Sequence, residues 1–166
     1  MSKTYTSFFE SPLGPLRLVC NEKAVMEVQF CEKMEVSDDS LPPISLKLEE
    51  QLKAFFDGTL LIFDLNLCPQ GTDFQKRVWR ELVNIPFGKT ASYLEMAVKL
   101  GDPKVIRAAA SANGKNSIAI IIPCHRVIGK DGSLTGYAGG LHRKKWLLDH
   151  ENRLGMGFWS CFNTSQ

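Results

Sequence analysis

Near the N-terminus the apolar positions come in short strand-like blocks: Tyr5–Phe9, then Leu16–Cys20, then Val25–Phe30. The separators, Ser11-Pro12-Leu13-Gly14-Pro15 and Asn21-Glu22-Lys23, have the length and composition of hairpin connections. The pattern predicts a small antiparallel sheet. An acidic, proline-bearing stretch from Glu32 to Pro43 reads as a loop. Beyond it the period changes: Leu48, Leu52, Phe55 and Phe56 fall on one helical face and stop at Gly58, which predicts an amphipathic helix covering that sheet. Leu60 to Leu67 reads as one more strand, and Cys68-Pro69-Gln70-Gly71 as a linker.

After the linker the pattern is helical. Thr72 and Gln75 stand in capping-box relation ahead of Phe74, Val78, Leu82 and Ile85, with Pro86 and Gly88 as stops. Ser92 and Glu95 repeat the capping pattern for a helix ending at Gly101. Asp102-Pro103 then supplies an N-cap and a first-turn proline for a helix from Val105 to about Ala112, ending near Asn113-Gly114. Two short helices with so tight a joint fit a helix-turn-helix, although a plain core hairpin has the same pattern. The run Ile118-Ala119-Ile120-Ile121-Ile122 reads as a buried strand, and His142 to His150 as a final helix carrying Trp146, Leu147 and Leu148.

The chain has 166 residues, 44% hydrophobic and 23% charged, the composition of one ordinary globular domain or two small ones. No apolar run approaches the ~20 residues of a membrane span, and MSKTYTSFFESPLG has no signal-peptide pattern, so the expected location is intracellular: cytoplasmic in a prokaryote, nuclear in a eukaryote. Net charge is only +2, yet residues 1–70 carry −5 and residues 71–166 carry +7. Such asymmetry suggests that the second half meets a polyanion, though a solvated basic face would look the same. The five cysteines, at 20, 31, 68, 124 and 161, form no CxxC and no disulfide framework. Metal-ligand spacing is also lacking. Cys161, beside Trp159, reads as an exposed thiol.

The densest chemistry is Ile122-Pro123-Cys124-His125-Arg126-Val127, an apolar segment delivering a thiol next to an imidazole. A buried thiol is inert unless a base or cation promotes the thiolate, so the dipeptide fits either a nucleophile with its base or a structural cysteine beside a surface histidine. Five glycines crowd the stretch from Gly129 to Gly140, which reads as a loop with exposed backbone N–H groups or as a plain connector.

Pro123-Cys124-His125-Arg126-Val127, then Gly136-Tyr137-Ala138-Gly139-Gly140, then Trp146-Leu147-Leu148-Asp149-His150-Glu151 together resemble the O6-alkylguanine-DNA alkyltransferases. The similarity runs from about Thr72 to Leu154 in order and spacing, with a weaker match at Ser11-Pro12-Leu13-Gly14-Pro15-Leu16. The resemblance implies an α/β plus α fold: a small ribonuclease H-like N-terminal α/β domain at 1–70, packed on a helical domain at 71–166 with a helix-turn-helix. It implies irreversible transfer of an alkyl group from guanine O6 in DNA to the protein's own cysteine after base flipping, with thymine O4 open as a second substrate.

By that resemblance Cys124 accepts the alkyl group, His125 is its base and Glu151 orients the imidazole, while Asn116 braces the turn and Tyr93 donates toward the purine. Arg107 fills the gap of the extruded nucleotide, with Lys104, Ala108, Ser92, Tyr93 and Arg126 at a DNA face laid in the minor groove. Val127, Tyr137, Ala138, Gly139 and Lys144 surround the pocket, Ala138 standing where other members have serine. No cofactor and no metal are expected, since no histidine precedes position 125. The expected partner is double-stranded DNA carrying an alkylated guanine, met by a monomer without an obligate protein partner and away from membranes. Two other readings stay open: a non-catalytic lesion-recognition module, against which Cys124 speaks, and a Cys-His acyl-transfer hydrolase.

Overall fold

The computed structural model describes residues 2–163, with side chains as far as Gly155. The expected character of Cys161 lies outside the described side chains. Three strands, β1 (Tyr5–Ser11), β2 (Gly14–Cys20) and β3 (Val25–Phe30), form an antiparallel sheet in that order. Tyr5 pairs with Cys20 and Ser11 with Gly14, while Leu16 pairs with Phe30. Side chains alternate across such a ladder, and Leu16, Leu18, Cys20, Val25 and Val28 are among the members that are almost wholly buried. Helix α1 (Pro43–Asp57) lays Leu48, Leu52 and Phe55 into the same core, all at 0% exposure. It ends where Gly58 takes φ +83°, a left-handed turn whose N–H reaches the Ala54 and Phe55 carbonyls.

An edge strand with free backbone groups invites pairing with another chain, and both edges of this sheet are covered. On β1, the acidic loop supplies Asp38, which accepts from Thr6 N at 2.7 Å and donates its own N–H to Thr6 O at 2.9 Å. On β3, Val28 donates to Ser117 O and accepts from Ala119 N, each at 2.9 Å. Val25 likewise donates to Asn66 O and accepts from Cys68 N. The segment Leu60–Leu67 is therefore not a strand as its apolar content suggests. It forms one parallel bridge, Val25 with Leu67, and its role is to close an edge.

The chain divides into two compact units, Met1–Lys76 with Asn116–Ile122, and Arg77–Lys115 with Pro123–Gln166. The second holds three complete helices, α3 (Tyr93–Lys99), α4 (Ile106–Gly114) and α5 (Leu141–Asn163), besides the end of α2 (Asp73–Val83). Ser92 caps α3 in a full capping box with Glu95, and Asp102 Oδ1 accepts from Lys104 N at 2.9 Å to start a 3-10 turn that leads into α4. Gly101, at φ +100°, makes the tight joint. Trp79 donates its indole N–H to Ala112 O at 2.9 Å, tying α2 to the last turn of α4. A two-residue parallel ladder, β4 (Ala91–Ser92) with β5 (Val127–Ile128), places the start of α3 beside the segment that follows Cys124. The architecture is thus an α/β unit with a three-stranded sheet followed by a helical unit with a helix-turn-helix.

Candidate active site

The apolar run ahead of Cys124 is buried, as its composition predicts, but it is not a strand. After the single bridge of Ile118 with Val28 it folds into a tight turn, with Ile121 N donating to Ala119 O at 2.8 Å and Ile122 N to Ile118 O at 3.1 Å. Ile120 sits at φ +73°, uncommon for a β-branched residue. Asn116 holds this turn from inside. Its amide donates to Ile122 O at 2.8 Å and Ile118 O at 3.3 Å, and its carbonyl oxygen accepts from Ile118 N at 3.0 Å. Asn116 therefore fixes the chain up to the residue before Pro123.

Cys124, His125 and Arg126 form one 3-10 turn following Pro123. Consecutive side chains on a 3-10 turn are separated by about 120°, not the near-opposition of an extended strand, so this backbone lets Cys124 and His125 serve one site. All three side chains are buried, Cys124 at 6% exposure and His125 at 0%. From α4, Asn113 donates to the Cys124 carbonyl at 3.4 Å, a contact hidden in the sequence because Asn113-Gly114 there reads only as a helix stop.

Behind the turn lies a buried charged cluster. His125 Nε2 is 2.6 Å from Glu151 Oε2, and Arg126 Nε donates to Glu151 Oε1 at 2.6 Å. Arg126 also donates to the Ile85 carbonyl at 2.7 Å, and its guanidinium lies 5.7 Å from the centre of the Phe87 ring. Burial pushes the pKa of His125 down, more strongly than the neighbouring Glu151 pulls it up. Burial pushes Glu151 up, but its hydrogen bonds from His125 and Arg126 and the charge of Arg126 hold it below the usual carboxylate range. The state that fits both directions is a neutral imidazole beside an ionised carboxylate whose counter-charge is Arg126. A carboxylate only accepts, so the ring proton is on Nε2 and Nδ1 is left with a lone pair. Nδ1 is buried and has no hydrogen-bond partner among the described residues.

Arg126 was expected on the DNA face, and its place is a correction. It is 8% exposed, with its guanidinium engaged by Glu151 and Ile85. With Nε, Nη1 and Nη2 all engaged inside, the guanidinium is not presented on a surface that phosphate meets.

A cavity of about 610 Å³ opens in the same unit, lined by Tyr93, Arg107, Ala110, Thr135, Tyr137 and Ala138 among others. One wall is α4 and the other is the glycine-rich loop. Tyr137, with its buried hydroxyl unpartnered among the described residues, has its pKa raised by burial and by the charge of Cys124. Lys144, fully buried on α5, donates to Val127 O at 2.6 Å and Thr135 O at 2.9 Å, so it ties the strand after Cys124 to the loop. Burial lowers its pKa and the charge of Cys124 opposes that shift. Tyr93 donates to the same Thr135 carbonyl at 2.9 Å. Thr135 is thus a junction that the side-chain pattern could not reveal, because its carbonyl does the work. Gly139 accepts from Arg143 at 3.0 Å, which anchors the far end of the loop.

Lys104, Arg107 and Ala108 are exposed together near the start of α4. Ser92 is half-buried, its hydroxyl taken by the cap of α3. Among the described residues no three His, Cys, Asp or Glu side chains are grouped as they would be around a metal ion.

Comparison with known proteins agrees with this arrangement. Residues 73–153 match the DNA-binding domain of 6-O-methylguanine DNA methyltransferase, and residues 4–69 match the ribonuclease-like domain of the same protein. The chain belongs to the 6-O-methylguanine DNA methyltransferase family. It is 49% identical over 156 residues to the methylated-DNA--protein-cysteine methyltransferase of Methanosarcina barkeri, covering 90% of this chain and 99% of that one. The Salmonella typhimurium protein of the same name is 42% identical, with 87% and 93% covered. Mycobacterium tuberculosis OGT, solved in complex with DNA, superposes with a TM-score of 0.80 at 43% identity, covering 90% of this chain and 93% of that one. In this chain the helix-turn-helix, the cysteine turn and the cavity fall in a single unit of the fold.

Proposed function

We propose that this protein repairs DNA by direct reversal, moving the methyl group of O6-methylguanine onto Cys124. The observation that carries this reading is the buried thiol on the same 3-10 turn as His125, whose Nε2 is held by Glu151. The Cys124 proton passes to His125 Nδ1, directly or through a water molecule, and Sγ attacks the methyl carbon in line with O6. The S–C bond forms as the C–O6 bond breaks, and the electron pair leaves on guanine. The departing base takes up a proton, with Tyr93 as the donor toward the ring. His125 then releases its proton and Tyr93 regains one, directly or through solvent, so that guanine and a thioether remain. Glu151 stabilises the transient imidazolium.

A thioether offers no acyl carbon for water to attack, so each molecule reacts once and needs no cofactor. The O6 substituent of a stacked base cannot reach a thiol that is 6% exposed. The base must flip into the cavity at a cost of a few kcal/mol. Arg107, exposed on α4 and lining the cavity, is suited to fill the vacated stack from the minor groove. Lys104 contributes charge, making affinity salt-dependent. Ala138 on the cavity wall offers a backbone N–H but no hydroxyl to the base.

The test is Cys124→Ala with a duplex carrying labelled O6-methylguanine. Transfer is abolished while lesion binding survives; label on the variant at the wild-type rate would sink the assignment. Thymine O4 as a second substrate is checked by the same assay on an O4-methylthymine duplex.

A further inference from the structure

Arg126 is the cation bonded to the carboxylate that holds the base. Glu151 has two oxygens facing two different partners: Oε2 meets His125 Nε2 at 2.6 Å, and Oε1 accepts from Arg126 Nε at 2.6 Å. The guanidinium is fixed from behind by the Ile85 carbonyl at 2.7 Å and lies beside the Phe87 ring. A planar fork held at three points sets where the carboxylate sits, which a flexible ammonium cannot do.

We propose that Arg126 is a positioning residue for methyl transfer: through Glu151 it holds His125 neutral, with its proton on Nε2 and Nδ1 as the proton acceptor. The proposal rests on the reading of Cys124 as acceptor and His125 as base. Removing the cation shows what it holds in place. Glu151 is then a buried carboxylate with no counter-charge, and such a group resolves its cost in one of two ways. Either His125 takes up a proton, which removes the lone pair from Nδ1, or Glu151 takes up a proton and donates it to Nε2, which forces the ring proton onto Nδ1. In both cases the base is lost near neutral pH and is recovered only when alkali removes the extra proton. The other groups facing His125 do not substitute. Lys144 on α5 is bonded to Val127 and Thr135, Tyr137 on the loop stays neutral, and Cys124 itself titrates in the reaction.

The experiment measures single-turnover methyl transfer to Cys124 across the pH range for wild-type protein, Arg126→Gln and Arg126→Lys, alongside melting curves and affinity for undamaged duplex. Arg126→Gln shifts the acid limb of the profile upward, losing about tenfold in rate for each pH unit that the limb lies above the assay pH. It regains rate in alkali, and its affinity for undamaged duplex is unchanged. Arg126→Lys keeps the limb near its wild-type position because the charge remains, with a smaller loss that is constant with pH. Equal loss by Arg126→Gln at every pH would reduce Arg126 to a structural role, and a parallel loss of duplex affinity would return it to the DNA face. Should Arg126→Gln not fold, wild-type protein labelled with nitrogen-15 at histidine still decides. A neutral His125 ring protonated at Nε2 is expected, and an imidazolium or the opposite tautomer at neutral pH overturns the proposal. Methyl recovered on a residue other than Cys124 would instead overturn the underlying function.

Discussion

The two units of this chain are buried in different ways. Around the N-terminal sheet the buried side chains are mostly apolar and, among the described residues, none is charged: Leu16, Leu18, Val25, Val28, Leu48, Leu52 and Phe55 are each no more than 1% exposed. In the helical unit the interior also contains His125, Arg126, Lys144 and Glu151. The first kind of core gains stability from area removed from water and tolerates no charge. The second kind must pair the charges it buries, and its net contribution to stability is small. What it provides is a fixed orientation and tautomer of the imidazole, with Nε2 held by Glu151. The contrast assigns stability chiefly to one set of residues and reactivity to the other, and each substitution below is a way to break that division.

The largest effect on reactivity after loss of Cys124 itself is expected from Glu151→Gln, which removes the negative charge and leaves one acceptor oxygen where His125 and Arg126 use two. Transfer falls by about 100-fold or more, measured by quenched single-turnover assays. Affinity for undamaged duplex stays within a factor of about two if the site is separate from the DNA face. Leu52→Ala acts on the other core. It should cost about 2–5 kcal/mol in denaturant unfolding, with transfer by the folded fraction unchanged. A large fall in that folded-state rate would show that the two kinds of core are coupled. Arg107→Ala loses roughly tenfold to a hundredfold on duplex DNA, the equivalent of part of the flipping cost. A free alkylated guanine base should lose much less, and equal losses would mean that Arg107 shapes the cavity.

The smallest effect is on pH dependence of stability. His125 has its folded pKa depressed below the ordinary 6.5, so the unfolded chain binds the proton first as pH falls. Glu151 is depressed too, and acts in the same direction lower in the scale. Stability contributed by His125 is present above about pH 6.5 and is lost as pH falls toward its folded value. His125→Gln flattens the upper part of that slope in melting curves, and a steeper slope in the variant would contradict a neutral imidazole.

Much of the framework is legible because its signals are local. The three strand blocks, the capping boxes at Thr72/Gln75 and Ser92/Glu95, and the Asp102 cap all form as their spacing predicts. Two apolar runs mislead for one reason. Leu60–Leu67 and Ile118–Ile122 have strand composition, but each meets the edge of β3 at only one bridged residue, so neither extends into a ladder. Burial of Ile120–Ile122 comes instead from a turn held by Asn116. The last helix extends from Leu141 to Asn163, well past the His150 boundary that its apolar pattern suggests. At the site, the motifs name Cys124, His125 and Glu151, yet Arg126 reads as a surface cation. A sequence does not tell a buried Arg from an exposed one when the partners, Glu151 and the Ile85 carbonyl, are 25 and 41 residues away. Thr135 and Asn113 are missed because a backbone carbonyl and a helix-end amide carry no motif.

The most direct test is to incubate the protein with an excess of duplex DNA carrying a single O6-methylguanine, then record the intact mass and map the modified peptide. The expected result is one added methyl group per molecule, located on Cys124, that saturates and does not turn over. An unchanged mass with lesion binding and a reduced Cys124, or methyl groups released catalytically, would contradict direct reversal by this cysteine.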